Sequence, residues 1–219
     1  SDLTADLEIS NGRLRAALAE KEVLLREVQH RVKNNLQVVS GLLALQVRNA
    51  PAEARLPLQE SLDRVRAMGR VYERLYRPEN PKTFAADVLM RDMCAEVGHT
   101  DDTFRQRVGC RVEAAGPVDL PLDAAVPLAL IVNEILGNAF KHAFPGGRRG
   151  EIVIALAERA GQVRIEIRDS GVGLAADGAA RPPQSAGMRL VELLAGQLGA
   201  AAAWSSDGGT VFTLTIPPR

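Results

Sequence analysis

A two-helix hairpin followed by a two-layer α/β sandwich is the fold class this sequence predicts, and three observations carry it. Residues from Leu3 to Asn49 run without a proline and place apolar or small side chains at alternating steps of four and three. Pro51 interrupts that run, and a second amphipathic stretch of the same period follows it. Beyond Pro81 the pattern changes to β-like alternation mixed with helical segments, without strict βαβ repetition.

The seam of the first helix reads Leu14, Leu18, Lys21, Leu25, Val28, Val32, Asn35, Val39 and Leu42, with Lys21 and Asn35 as polar interruptions. Asn35 is read either as a buried amide that fixes the register or as part of the surface, the first being preferred. The second helix runs from about Glu53 to Arg77, with Leu58, Leu62, Val65, Met68, Tyr72 and Leu75 on its apolar face. A short Asn-Ala-Pro turn makes the pair an antiparallel hairpin. Such a hairpin is too thin to bury its own seam, so a second copy completing a four-helix bundle is expected. Arg77 to Pro81 reads as a linker, dividing the chain into a helical domain, 1–80, and an α/β domain, 81–219.

In the second domain a helix is expected from Ala85 to Val97 and a strand from Arg107 to Ala114. Asp123 reads as the N-cap of a helix reaching Phe144, with Pro127 in its first turn. Ile152 to Leu156 and Val163 to Ile167 form a hairpin about Ala160-Gly161. A low-order Gly/Ala/Pro stretch from Ala175 to Ser185 leads into a helix from Gly187 to Leu198. Ala200 to Ser205 and Gly209 to Ile216 close a last hairpin about Asp207-Gly208.

Composition excludes several functions. Across 219 residues, Lys plus Arg and Asp plus Glu each number 27, so no basic field points to nucleic acid. With 4 % aromatics the chain offers no stacking platform for single strands, while 46 % hydrophobic residues suffice for a core. Cys94 and Cys110 lack metal-type spacing and read as reduced, partly buried thiols of a cytoplasmic protein. No apolar run of roughly 18 residues, the length of a membrane span, is evident, and the polar N-terminus does not read as a signal peptide. The helical start at Leu3 reads as a cut within a linker, with an upstream sensor domain absent.

Four blocks carry chemistry. In His30-Arg31-Val32-Lys33-Asn34-Asn35-Leu36-Gln37, taking Val28 and Val32 as seam positions puts His30 on the wet side, with Lys33, Asn34 and Gln37 sharing its face. Glu27, three residues back, is the candidate to orient the imidazole. Glu134, Asn138 and Lys141, spaced by four and three late in a helix, offer a carboxylate, a carboxamide and an ammonium. That set suits a hydrated Mg²⁺ with polyphosphate. Asp169-Ser170-Gly171-Val172-Gly173 follows a strand, so Asp169 can accept from an exocyclic amine while the glycines admit a flat ring. Ser185-Ala186-Gly187 enters a helix, whose first N–H groups form a phosphate seat. Each block alone matches a solvated helix face, an Asp-Gly turn or a common helix start.

In this order, with Gly209-Thr210-Val211-Phe212-Thr213 closing a strand, the blocks resemble the sensor histidine kinases. The resemblance is to the HRxKNN H-box subfamily, sister to the HWE-type kinases, whose tryptophan motif is missing before Asp169. It covers about Leu24 to Pro217 and implies a dimerisation and phosphotransfer hairpin with His30 as acceptor, followed by a GHKL (Bergerat) ATP-binding domain. By match, Asn138 coordinates Mg²⁺, Glu134 holds the metal or water-polarising position, and Lys141 contacts phosphate beside His142. Asp169 accepts from the adenine amino group, Gly171 and Gly173 line the base, Gly187 lies on the phosphate side and Thr210 lies near adenine. The implied activity is transfer of the γ-phosphoryl of ATP to His30 and then to an aspartate of a response-regulator receiver domain. The alternative is a phosphotransfer or phosphatase module with weak or no kinase activity. A non-catalytic coiled-coil adaptor and a GHKL ATPase outside phosphorelays are further rivals.

Overall fold

The structure is a computed structural model, and it describes residues 2–75, 82–97, 102–174 and 185–218. The expected linker from Arg77 to Pro81 and the stretch from Ala175 to Gln184 lie outside the described residues. The chain divides into two compact units, Ser1–Pro81 and Lys82–Arg219.

The first unit is two helices, α1 (Asp2–Asn49) and α2 (Ala52–Leu75), the shorter packed against the C-terminal half of the longer. Leu62 and Ala67 of α2 are buried, and Leu58, Val65, Met68 and Tyr72 are half-buried. On α1 the half-buried positions are Val32, Lys33, Leu36, Ser40, Leu43, Ala44 and Val47. This corrects the expected seam. Val32 is shared, but Val28, Val39 and Leu42 are 57 %, 42 % and 57 % exposed, and Asn35 is exposed rather than a buried amide. A helix of this composition has two apolar stripes, and period counting found the one that α2 does not cover.

The second unit is built on a five-stranded sheet in the order β2-β4-β5-β7-β6: β2 (Val108–Ala114), β4 (Gly150–Arg159), β5 (Gln162–Asp169), β6 (Ala201–Ser206) and β7 (Thr210–Ile216). Among the described residues, only the β2–β4 pair is parallel. Alternation sets the two faces. Ile152, Ile154, Leu156, Val163, Ile165, Ile167, Phe212 and Leu214 are buried inward. Outward, Arg164 and Arg168 flank Glu166 at 3.1 and 2.7 Å, and Arg111 meets Glu151 at 3.1 Å. This is the one-face-wet pattern of an antiparallel sheet. Burial pushes the Glu166 carboxyl up, but its two arginine partners outweigh that and leave it below the ordinary value.

Three helices supply the second layer: α3 (Ala86–Glu96), α5 (Ala125–Asn138) and α6 (Ala186–Gln197). Helix α5 is apolar nearly all round, with Leu128, Ile131 and Val132 fully enclosed, as a central core helix must be. With its flanking turns, over Leu122–Ala143, it is long and apolar enough to cross a membrane, contrary to the expectation that no such run exists. It is mostly buried inside the domain, which accounts for its composition.

Three short elements were not anticipated. Strands β1 (Thr83–Ala85) and β3 (Asp119–Pro121) pair antiparallel through buried Phe84 and Leu120, and α4 (Asp102–Arg105) precedes β2. Asp123 is not the N-cap of α5. It lies inside a 3-10 turn, Leu122–Ala124, and α5 starts from Ala124 without a side-chain cap, Pro127 falling in its first turn. The cysteine expectation is also corrected: Cys94 of α3 and Cys110 of β2 are joined as a disulfide, their Cα atoms 5.5 Å apart. Sequence spacing gave no hint of it, because only the packing of α3 on β2 brings these residues together.

Candidate functional site

On the hairpin, His30 is exposed on α1, as are Asn34 and Gln37. Two expected neighbours turn elsewhere. Lys33 reaches across to α2 and pairs with Glu73 at 2.7 Å, so it braces the hairpin instead of sharing the histidine's face. Glu27 accepts from Arg31 Nε at 2.7 Å, one helical turn ahead, and its carboxylate is on that guanidinium rather than on the imidazole. A Glu followed four residues later by Arg is the favoured helical ion-pair orientation.

In the sandwich, contacts join three of the predicted segments, namely the loop after β5, the start of β7 and the turn that follows α5. Asp169 ends β5 and is buried. Its Oδ1 accepts from the Gly171 N–H at 2.9 Å and from the Thr210 N–H at 3.2 Å. Among the described residues Oδ2 makes no hydrogen bond, yet no buried side-chain oxygen is left unsatisfied, so Oδ2 faces open space. The carboxylate is thus fixed by one oxygen and offers the other.

The glycines are required by close approach. At Gly209 an added Cβ would overlap the Asp169 carbonyl, and at Gly171 it would strike the Ala143 backbone. Gly173 has φ +76°, and a Cβ there would sit 2.7 Å from Ser206 Oγ. These contacts bring the strand carrying Thr210 and the loop after β5 within backbone distance, a cradle only glycine permits.

Glu134 and Asn138 lie half-buried near the end of α5. The helix does not continue regularly to Phe144, as expected. Ala139–Ala143 form a π-helical turn, so exposed Lys141 and His142 project from a wider turn than an α-helix would give them. The Ala143 carbonyl released there accepts from the Val172 N–H at 3.0 Å, joining this turn to the Asp169 loop. At the start of α6, Ser185 Oγ accepts from the Met188 N–H at 3.2 Å, and Gly187 is buried in the first turn. The N–H groups of Ala186 and Gly187 have no partner within the helix, the condition for an anion seat.

A buried strand-end carboxylate held by two backbone N–H groups, closely packed glycines around it and a helix end tied to the same loop, all on an α/β sandwich, fit the class of the histidine-kinase-like ATP-binding domains. A family model described as a histidine-kinase-like ATPase domain matches residues 95–216, and one described as histidine kinase matches residues 27–100. The chain belongs to the histidine kinase family.

Sensor histidine kinase PdtaS of Mycobacterium tuberculosis is 32 % identical over 210 residues, 92 % of this chain and 40 % of that protein. Blue-light-activated histidine kinase 2 of Erythrobacter litoralis is 27 % identical over 199 residues, 88 % of this chain and 56 % of that protein. The chain thus spans about half the length, or less, of these relatives. Among solved structures, the histidine kinase domain of the E. litoralis EL346 blue-light-activated kinase superposes with a TM-score of 0.62 at 25 % identity, covering 91 % of this chain and 93 % of that one.

Proposed function

We propose that this chain is the cytoplasmic catalytic core of a two-component sensor histidine kinase, using ATP to phosphorylate His30 and passing the phosphoryl group to an aspartate of a response-regulator receiver domain. The observation that carries the reading is Asp169: one carboxylate oxygen is tied to two backbone N–H groups and the other faces open space. That arrangement matches the exocyclic amine of adenine, and the close glycine approaches at positions 171, 173 and 209 pack the surrounding backbone firmly about it.

The remaining roles follow from placement. Asn138 and Glu134 would hold Mg²⁺, which supplies neutralisation of phosphate charge when bound. The donor set suits it, since magnesium keeps most of its waters and takes few protein oxygens. Lys141 and His142, both exposed, would contact the polyphosphate, and the first turn of α6 at Gly187 would offer N–H groups to phosphate oxygens. His30 supplies an imidazole nitrogen as nucleophile. Positioning and electrostatics provide most of the rate, because little covalent work is left for the protein.

For Glu27 to orient His30 it must leave Arg31. Both partners are more than half exposed, so that pair is worth at most about 1 kcal/mol and the exchange is within reach. Homodimerisation is supported by the uncovered stripe of α1, where Leu14, Val28, Leu42 and Leu45 are between 53 % and 62 % exposed. A second hairpin would bury it as a four-helix bundle.

The test is incubation with γ-labelled ATP and Mg²⁺. Wild type should acquire acid-labile, base-stable label, and His30→Ala and Asn138→Ala should not. Absence of label on wild type that still accepts phosphoryl from a phosphorylated receiver domain would favour the phosphotransfer-module alternative.

A further inference from the structure

We propose that Phe104 is a positioning residue for the nucleotide pocket, acting through Phe140 and Phe144 on the strap that joins its phosphate and adenine sides. The inference rests on the nucleotide reading above and assigns a role to a residue outside every motif block. Phe104 lies on the four-residue α4 and is 3 % exposed. Its ring centroid is 4.5 Å from that of Phe140, tilted, and 6.0 Å from that of Phe144, edge-on. Phe140 belongs to the π-helical turn that carries Lys141 and His142, and Phe144 follows that turn directly.

The second ring also touches the adenine side. Phe144 lies over Gly150, where an added Cβ would collide with its ring and come within 2.6 Å of Ser170 Oγ. Ser170 Oγ in turn accepts from the Glu151 N–H at 2.9 Å. Between the two phenylalanines, Ala143 gives its carbonyl to Val172 N–H at 3.0 Å and closes against Gly171. A single π-turn is selected by its tertiary surroundings, and the Phe104 ring packs on Phe140 within the turn and on Phe144 just after it.

Phe104 is itself anchored from both sides. Its carbonyl accepts from the Arg107 N–H at 2.9 Å. The Arg107 guanidinium donates to the Arg148 carbonyl at 3.0 Å, and Arg148 donates to the Ser170 carbonyl at 3.2 Å. The disulfide between Cys94 and Cys110 closes the segment that contains α4. Removing the ring therefore leaves the π-turn free to rewind as α-helix. Rewinding turns Lys141 and draws the Ala143 carbonyl away from Val172.

The experiment is titration of the full chain with MgADP alongside thermal unfolding and amide hydrogen exchange, for wild type, Phe104→Leu and a control core truncation, Ile154→Val. Phe104→Leu should raise the MgADP Kd roughly tenfold and speed exchange at the Val172 amide, leaving the Ser170 amide, bonded to the Glu151 carbonyl, as slow as in wild type. Ile154→Val should lower the melting temperature without moving the Kd. If Phe104→Leu proves unable to fold, Phe104→Met carries the same expectation with less lost volume. A Phe104 variant that binds MgADP as wild type does overturns the positioning role. A wild-type chain that takes up no MgADP overturns the nucleotide reading and this role together.

Discussion

The Thr210 N–H donates to Asp169 Oδ1 across 3.2 Å, linking the start of β7 to the end of β5. With Gly171 N–H on the same oxygen, the carboxylate cannot rotate without breaking two bonds. Asp169→Asn keeps an oxygen for those donors but presents an amide NH₂ where the adenine amine would approach. Two donors then face each other. Loss of this bond and the unpaired donor together cost about 1–3 kcal/mol, so MgADP affinity should fall by about ten- to a hundredfold. Calorimetric titration measures it; an unchanged Kd would remove Asp169 from base recognition.

Glu27 and Arg31 give a prediction of opposite signs. If Glu27 orients His30 in the reacting state, Arg31 competes for the same carboxylate, holding it at 2.7 Å in this structure. Arg31→Ala should then raise the autophosphorylation rate while Glu27→Gln lowers it, each by a factor of a few, consistent with an exposed pair worth about 1 kcal/mol or less. Initial-rate labelling with γ-labelled ATP distinguishes the cases. Equal rates for Glu27→Gln and wild type would end the orienting role.

How much of this was legible in the chain depends on the length of each signal. The long helices and the strand hairpins were readable because many residues repeat one period. Asp169, Gly171 and Gly173 stood out because neighbouring residues in one loop share one task, whereas the close approach of Gly209 to Asp169 comes from a turn far along the chain and is set by the pairing of β5 with β7. Three-residue strands β1 and β3 are too short to show a period, and the α4 turn carries only Phe104 as signal. The π-turn escaped because Ala139 to Ala143 would fit an α-helix equally well; tertiary packing selects the wider winding. Which stripe of α1 the hairpin covers was not legible, because Leu36, Leu43 and Val47 form a stripe as apolar as the expected seam. Only the position of α2 decides which of the two is covered.

Asp87 at the start of α3 sets an acid limit on the second domain. Burial pushes its carboxyl up, but the Arg91 hydrogen bond at 2.5 Å, the Arg91 charge and backbone contact at Val118 outweigh burial and hold it below 3.8. A folded pKa below the unfolded one stabilises above the unfolded value, and that stabilisation is lost as pH falls through the folded value. Denaturant midpoints of the chain should thus hold above about pH 4 and fall below it. Asp87→Asn should lower stability at neutral pH and flatten the acid limb. An acid limb as steep as wild type in that variant would place the sensitive group elsewhere.

The Cys94–Cys110 link ties the end of α3 to β2 across a sequence separation of 16. A cross-link closing a loop of about 15 residues stabilises by about 3 kcal/mol, chiefly by restricting the unfolded chain. Reduction should therefore lower the unfolding transition of the Lys82–Arg219 unit by about 10 °C, given the entropy of unfolding for a domain of this size. The hairpin contains no cysteine, so its helical transition should not respond. Differential scanning calorimetry with and without a phosphine reductant separates the two. The double variant Cys94→Ala/Cys110→Ala should match the reduced wild type and ignore the reductant. A reductant-insensitive wild type would show that α3 and β2 are held by packing alone.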